Sequence, residues 1–472
     1  MIFEGVRRRV RGVVTYFHKG VGEAVLCIVI LISLMMGVFG LWVSDFSGYQ
    51  QNHGPEIVLS VTQANAPLPN PLAAKYEPDS GCILGAYLDL DPSLKQTYLD
   101  QTNKVRRETA PFEKIIGRKH GMYFFYLGYG QPLPKDWIKK LDDAGKYVHI
   151  ALEPNAGLDK VQKDKYLWGL VRDLRQTKAK IFLRFASEMN GPWVNYHGDP
   201  PKYREKFRLV ADMVHKFAKN VAMVWCPLFT PVKPIPLYYP GDDAVDWVGV
   251  NIYNVTYFNQ NAKQPGWDVT PQQMLKPIYD EYASRKPIMI AEYGVAHYSA
   301  LESNLVRNFA IENIQSFYAS LRLRFPRVKC INYFNCNNIQ LQHRKNNDYR
   351  VTNDDAVRAA YSEAIASSYF LDSTTARDFS AAPQLDSQPW SENLKTDARL
   401  IVEADARLLP KAKRLDFFID GKLLHSGIER ENWALTIQTE RLPVGHHQLL
   451  VVAYDAQGNE LLRTKKAFGV RR

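Results

Sequence analysis

Between Gly81 and Tyr369 the chain alternates short apolar runs with amphipathic stretches, and this alternation constrains its fold more than any other feature. The apolar runs cover 82–88, 122–127, 147–152, 181–186, 221–226, 247–252, 288–291 and 328–334. Helical patterns lie between them: 135–141 (stopped by Gly145), 165–174, a long basic stretch at 203–217, 274–282 opened by Pro271, 305–323 and 354–368. Near-continuous apolar strands separated by helices predict parallel strands buried on both faces. Eight strands are the count for a (β/α)8 barrel, whose usual size is about 250 residues. A doubly wound sheet is the structural alternative. It rarely needs eight such regular units, and no Gly-rich phosphate loop follows the first strand. The expected class is α/β, a TIM barrel over 81–371.

The flanks read differently. Residues 24–43 contain no charged side chain and are long enough for one helical span, with Arg7, Arg8, Arg9, Arg11 and Lys19 just before them. The positive-inside rule makes 1–23 a cytoplasmic tail, 24–43 a transmembrane anchor, and places the remainder outside the cell membrane. A cleaved signal peptide is the rival reading. Its apolar core would be unusually long, and the nearby Ala64-Asn65-Ala66 is followed by Pro67. Residues 44–80, with Pro67, Pro69, Pro71 and Pro78, read as a spacer, and 372–395 as a Ser/Thr/Ala/Pro-rich linker. From 396 to 472 the period becomes two, with strand patterns at 400–404, 415–419, 433–439 and 448–454 and a hairpin signal at Asp420-Gly421, so a small β-sandwich is expected. Phe417-Phe418-Ile419-Asp420-Gly421-Lys422, Leu442-Pro443-Val444-Gly445-His446-His447 and Val451-Val452-Ala453-Tyr454-Asp455 resemble the immunoglobulin-like modules appended to many bacterial secreted enzymes.

Composition excludes little. The net charge of +11 comes without a Lys/Arg run interleaved with aromatics, so nucleic acid is not an expected partner. None of the five cysteines forms a C-x-x-C pair, which argues against a zinc site. Cys27 falls in the apolar run. Cys82, Cys226, Cys330 and Cys336 either pair in an oxidising compartment or stay as buried thiols.

Two apolar runs stop on a carboxylate. Ile181 to Ala186 leads to Glu188, followed by Asn190, Gly191, Trp193 and Tyr196; Ile288 to Ala291 leads to Glu292. Barrel enzymes carry their catalytic groups at the C-terminal ends of strands, so Glu188 after the fourth and Glu292 after the seventh share one bowl. Two such carboxyls suit glycoside hydrolysis. They stand about 5–5.5 Å apart in retaining enzymes and about 6.5–9.5 Å apart in inverting ones. The bland alternatives are a structural ion pair between Glu188 and Arg184, and plain core roles for Trp225 and Tyr253. Glu153, before Pro154 at a strand end, reads as a loop ion pair better than as a substrate contact.

Arg184-x-x-x-Glu188-Met189-Asn190-Gly191-x-Trp193 resembles the acid/base motif of glycoside hydrolase family 26, the mannanase-like branch of a retaining (β/α)8 clan. Ile150-Ala151-Leu152-Glu153-Pro154, Trp225-x-Pro227, Val245 to Tyr253 and Pro287 to Gly294 are similar to its third, fifth, sixth and seventh strands, in that order. The resemblance covers 81–369. It implies Glu188 as acid/base and Glu292 as nucleophile, Tyr253 approaching the nucleophile, and Arg184 organising the carboxylates. Trp193, Trp225 and Tyr196 would line sugar subsites, and Asn190 would touch the sugar or hold the loop. Ser187 departs from the family, which usually has histidine there, and the eighth strand ends without the tryptophan common in the family. The substrate is therefore expected to be mannan-like, a β-glucan or an exopolysaccharide.

The expectation is a membrane-anchored retaining endo-β-glycanase with a polysaccharide substrate, needing no metal or organic cofactor. It would act on an exopolysaccharide beside its synthesis or export machinery. A non-catalytic polysaccharide-binding scaffold and a transglycosylase are the alternatives.

Overall fold

The computed structural model describes residues 57–63, 74–267, 269–299, 301–341, 347–377, 393–395, 398–404, 412–427 and 434–471. The tail and anchor expected at 1–43 lie outside these residues. Among the described residues no helix is long and apolar enough to cross a membrane.

Eight parallel strands form the barrel: β1 Cys82–Tyr87, β2 Met122–Gly128, β3 Tyr147–Glu153, β4 Ile181–Phe185, β5 Val221–Trp225, β6 Trp247–Asn254, β7 Ile288–Val295 and β8 Val328–Phe334. They pair in sequence order, and β8 closes the ring on β1 with Cys330 opposite Ile83. Seven helices pack outside: α1 Thr109–Ile116, α2 Lys135–Asp143, α3 Lys165–Thr177, α4 Pro200–Phe217, α5 Pro271–Tyr282, α6 Arg307–Leu323 and α7 Asp355–Ala364. Between β5 and β6 only a 3-10 turn, Ile235–Tyr238, takes the place of a helix. Helix α1 carries Pro111 in its first turn and buries only Phe112 and Ile116, too short a periodic signal to stand out in the sequence. Helix α5 is closed at its start by a reciprocal cap between Thr270 and Gln273, with Pro271 in its first turn.

Strand alternation divides the core in two. Ile83, Met122, Tyr147, Phe182, Trp247, Met289 and Cys330 fill the barrel interior, whereas Leu84, Val148, Ile181, Leu183, Val248 and Ile288 belong to the core between strands and helices. Two positions need glycine because the interior is tight. A Cβ on Gly85 would lie 2.0 Å from Asn332 Oδ1, and one on Gly249 would lie 2.9 Å from Cys226 Cβ. Tyr76 packs on Tyr147 and Phe182 at the N-terminal mouth, and Trp247 Nε1 donates to Lys75 O at 2.8 Å. Cys82, Cys226, Cys330 and Cys336 are buried free thiols, which resolves the alternative left open for them.

The described residues of the C-terminal part are mostly strands, with one 3-10 turn at Thr439–Arg441. Asn393–Lys395, Glu460–Arg471, Gly445–Tyr454, Arg414–Ile419 and Lys422–Gly427 form a five-stranded sheet in that order. Asp420 and Gly421 both take positive φ, as a two-residue hairpin turn requires. A three-stranded sheet joins Ile57–Gln63, Ala398–Ala404 and Ala434–Gln438, with Ile57 opposite Ala404. The stretch read as spacer therefore contributes a strand, and 393–395 of the expected linker is a strand too.

Candidate active site

Strand parity decides which side chains reach the bowl. On β6, Val248, Val250 and Ile252 face the helices, so Asn251 and Tyr253 face inward. On β7 the same alternation would send Glu292 outward with Ile288 and Ile290. A bulge prevents this: Ile290 pairs with Val250 and Glu292 with Asn251, so two residues of β7 oppose one step of β6. The extra residue turns Glu292 into the interior beside Asn251.

Glu292 is 1% exposed. Its Oε1 accepts from Tyr126 Oη at 2.5 Å and Arg184 Nη2 at 2.5 Å, and its Oε2 accepts from the Tyr253 hydroxyl. All three partners donate to it. Arg184, held over the Phe124 and Tyr126 rings, also donates from Nη1 to Asn251 Oδ1 at 3.0 Å. The Arg184 ion pair is thus with Glu292, not with Glu188.

Glu188 lies past the end of β4 in a left-handed backbone conformation, φ +60°. Its amide donates to Cys226 O at 2.8 Å. Asn251 Nδ2 donates to its Oε1 and Trp193 Nε1 to its Oε2, each at 2.7 Å. Burial, and then the nearby Glu292 charge, push its pKa up from 4.5 to about 7, against these two donors and Arg184. Asn251 therefore links the two carboxyls through Arg184. Both carboxyls accept from donors, two at Glu188 and three at Glu292; burial and the neighbouring charge bias Glu188 toward keeping its proton, while Glu292 has the Arg184 guanidinium among its donors.

Several expected sugar contacts have other duties. Trp225 follows the inward Val224 on β5 and so points into the helix layer, where it packs on Tyr239 and Tyr282 at 4.9 and 5.3 Å between ring centres. Asn190 staples the loops after β4 and β5: its Nδ2 donates to Leu228 O and Pro231 O, and its Oδ1 accepts from Leu228 N. Trp193 is 2% exposed and serves Glu188, its ring lying on Gly191, where a Cβ would sit 1.9 Å from it. The Tyr196 hydroxyl meets Glu153 and Ser187 O. Glu153 is not a loop ion pair. It is a buried β3 terminus bound by Ser187 and Tyr196. Tyr253 lines the bowl and donates its hydroxyl to Glu292.

An open cleft of about 730 Å³ leads from Glu188, lined by Tyr126, Leu228, Phe229, Tyr253, Val255, Tyr257, Phe258, Phe334 and Tyr349 among others. Such a concave, largely aromatic surface suits the apolar faces of sugar rings. Tyr126 was not foreseen, because Met122–Gly128 is an unbroken apolar run in which no alternation marks its inward face.

No family model matches the chain. In sequence, 308 residues align at 24% identity with endoglucanase H of Acetivibrio thermocellus, covering 61% of this chain and 31% of that protein. A β-1,3-xylanase, TXYA, of a Vibrio species aligns at 35% identity over 89 residues, 18% of this chain and 19% of its own. The chain thus spans about a third or less of the length of these relatives. Among solved structures, a modular endo-β-1,4-mannanase from Cellulomonas fimi covers 87% of this chain and 99% of its own at 14% identity and a TM-score of 0.45. A family 26 β-mannanase from Bacteroides ovatus covers 66% and 95% at the same identity and TM-score. The barrel assignment stands on the strand pairing described above.

Proposed function

We propose that this chain is a retaining endo-β-glycanase that cuts internal β-glycosidic bonds of a polysaccharide by double displacement. The observation that carries it is the pair of barrel-top carboxyls in opposite environments, one raised to about 7 and one held by three donors. Glu292 Oε2, which carries only the Tyr253 hydroxyl, attacks the anomeric carbon while Glu188 protonates the departing oxygen. Once Glu292 is esterified its charge is gone, so one of the causes that raise Glu188 disappears. Glu188, having given its proton to the leaving group, is then more readily held as the carboxylate, the form that takes the proton of the incoming water. The named relatives, an endoglucanase and a β-1,3-xylanase, favour a β-linked glycan. Mannan is not singled out, because the Ser187 hydroxyl is turned onto Glu153 and not toward the bowl. The uncharged run 24–43 behind a basic tail supports the further reading that the enzyme works at the outer face of the cell membrane on an emerging exopolysaccharide.

The test is a panel of β-mannan, β-glucan and β-xylan oligosaccharides with the wild type and Glu292→Ala, products followed by NMR. Cleavage with retained anomeric configuration, lost in Glu292→Ala without loss of binding, is expected. Binding without turnover in the wild type would make the chain a polysaccharide-binding scaffold. Inverted products would refute double displacement, and products longer than the substrate would make it a transglycosylase.

A further inference from the structure

The turn that carries Glu188 is costly to hold. Ala186 and Glu188 both take left-handed φ, +50° and +60°, with Ser187 between them, and each non-glycine residue there costs on the order of 1 kcal/mol. Every polar group of Ser187 is spent on one neighbouring pair. Its Oγ donates to Glu153 Oε1, its amide donates to Glu153 Oε2 at 3.2 Å, and its carbonyl lies 2.7 Å from the Tyr196 hydroxyl.

Proton counting at Tyr196 adds a second constraint. Its hydroxyl has one hydrogen but stands 2.7 Å from Ser187 O and 2.6 Å from Glu153 Oε2. A carbonyl oxygen cannot donate, so the tyrosine proton goes to Ser187 O. The 2.6 Å contact is then a hydrogen bond only if Glu153 brings the proton. An ionised Glu153 would leave lone pairs facing each other in a site 1% exposed. Arg184 gives its ion pair to Glu292 instead. Burial also pushes the Glu153 pKa up, in the same direction.

We propose that Glu153, at the tip of β3, is a positioning residue for Glu188: a neutral carboxylic acid that accepts from Ser187 and donates to Tyr196, clamping the strained turn on which the acid/base is mounted. The assignment rests on reading Glu188 as acid/base. Glu153 touches no reacting atom. It acts by setting where Glu188 presents its proton.

The test uses the full chain with Glu153→Ala and Glu153→Gln on two substrates: the β-oligosaccharide that the wild type cleaves, and the dinitrophenyl β-glycoside of the same sugar. The dinitrophenolate leaves without protonation, so kcat/KM on it does not need a well-placed acid. Glu153→Ala is expected to lose ~10–100-fold in kcat/KM on the oligosaccharide, mostly in kcat, the size of effect that misplacing a catalytic group brings. On the aryl glycoside it should stay within about threefold of wild type. Glu153→Gln keeps an acceptor for Ser187 Oγ and a donor for Tyr196 but loses the acceptor for the Ser187 amide, so on the oligosaccharide it should lose clearly less than Glu153→Ala, and on the aryl glycoside it should stay within about threefold of wild type. Equal losses of Glu153→Ala on both substrates would make the residue merely structural and overturn the proposal. Glu153→Gln as damaged as Glu153→Ala would overturn its neutral form. Should Glu153→Ala not fold, Tyr196→Phe removes the same bridge and is read the same way. A wild type that cleaves neither substrate would bring down the glycanase reading, and this assignment with it.

Discussion

Glu188→Gln tests the electrostatics of the site through stability, without a substrate. Raising the buried carboxyl from 4.5 to about 7 corresponds, at about 1.36 kcal/mol per pKa unit, to about 3 kcal/mol of folding free energy. The sign follows from which state binds the proton more tightly. Below pH 4.5 the group is protonated in both folded and unfolded chains and contributes nothing. Between 4.5 and about 7 the unfolded chain ionises first, and stability falls; above about 7 the whole penalty stands. Glutamine cannot ionise and escapes this, but it has its own cost. The Asn251 and Trp193 donors each stand 2.7 Å from a carboxyl oxygen, and the amide can accept on only one side. The clash costs about 1–3 kcal/mol and does not vary with pH. Glu188→Gln should therefore be less stable than wild type at pH 4, with the gap closing or reversing by about 3 kcal/mol by pH 9. Urea unfolding of both full-length proteins, followed by tryptophan fluorescence, measures this, since six of the nine tryptophans lie within 81–371. A gap that stays constant to within about 1 kcal/mol from pH 4 to 9 would refute the raised Glu188 and the role built on it.

Two further outcomes follow from the same geometry. Trp193→Phe removes a donor that favours the charged Glu188, so the alkaline limb of the kcat/KM profile should move up from about 7 by roughly one pH unit; an unmoved limb would separate that limb from Glu188. Asn190→Ala should cost about 1–3 kcal/mol in thermal unfolding while leaving KM unchanged, because its three hydrogen bonds all go to backbone of the neighbouring loop; a weakened KM with intact stability would restore it as a sugar contact.

The barrel was legible because its signal is coarse. Runs buried on both faces stay apolar whichever residue points inward, so all eight could be found by composition and spacing alone. The same property hid the side chains. In Met122–Gly128, Tyr126 is as apolar as its neighbours, yet its hydroxyl is a first partner of Glu292. The family resemblance implied a sugar subsite at Trp225, but a face changes with every residue, and Val224 already holds the inward position.

The two strand-end carboxyls both face the bowl, for reasons that differ between them and that the local sequence does not announce. Glu292 faces the bowl only because β7 carries a bulge at Ala291, and nothing in Ile-Met-Ile-Ala-Glu announces that extra residue. Glu188 faces the bowl only because Ala186 and Glu188 tolerate left-handed backbone, a conformation their residue types disfavour. Both features are locally unfavourable, so local propensity argues against them. They persist where long-range partners outweigh the cost: Arg184 and the two tyrosines at Glu292, and Asn251, Trp193 and the Glu153–Tyr196 pair around Glu188. Ser187 fits that account. Its hydroxyl, amide and carbonyl are all consumed in contacts with Glu153 and Tyr196 that hold the turn carrying Glu188.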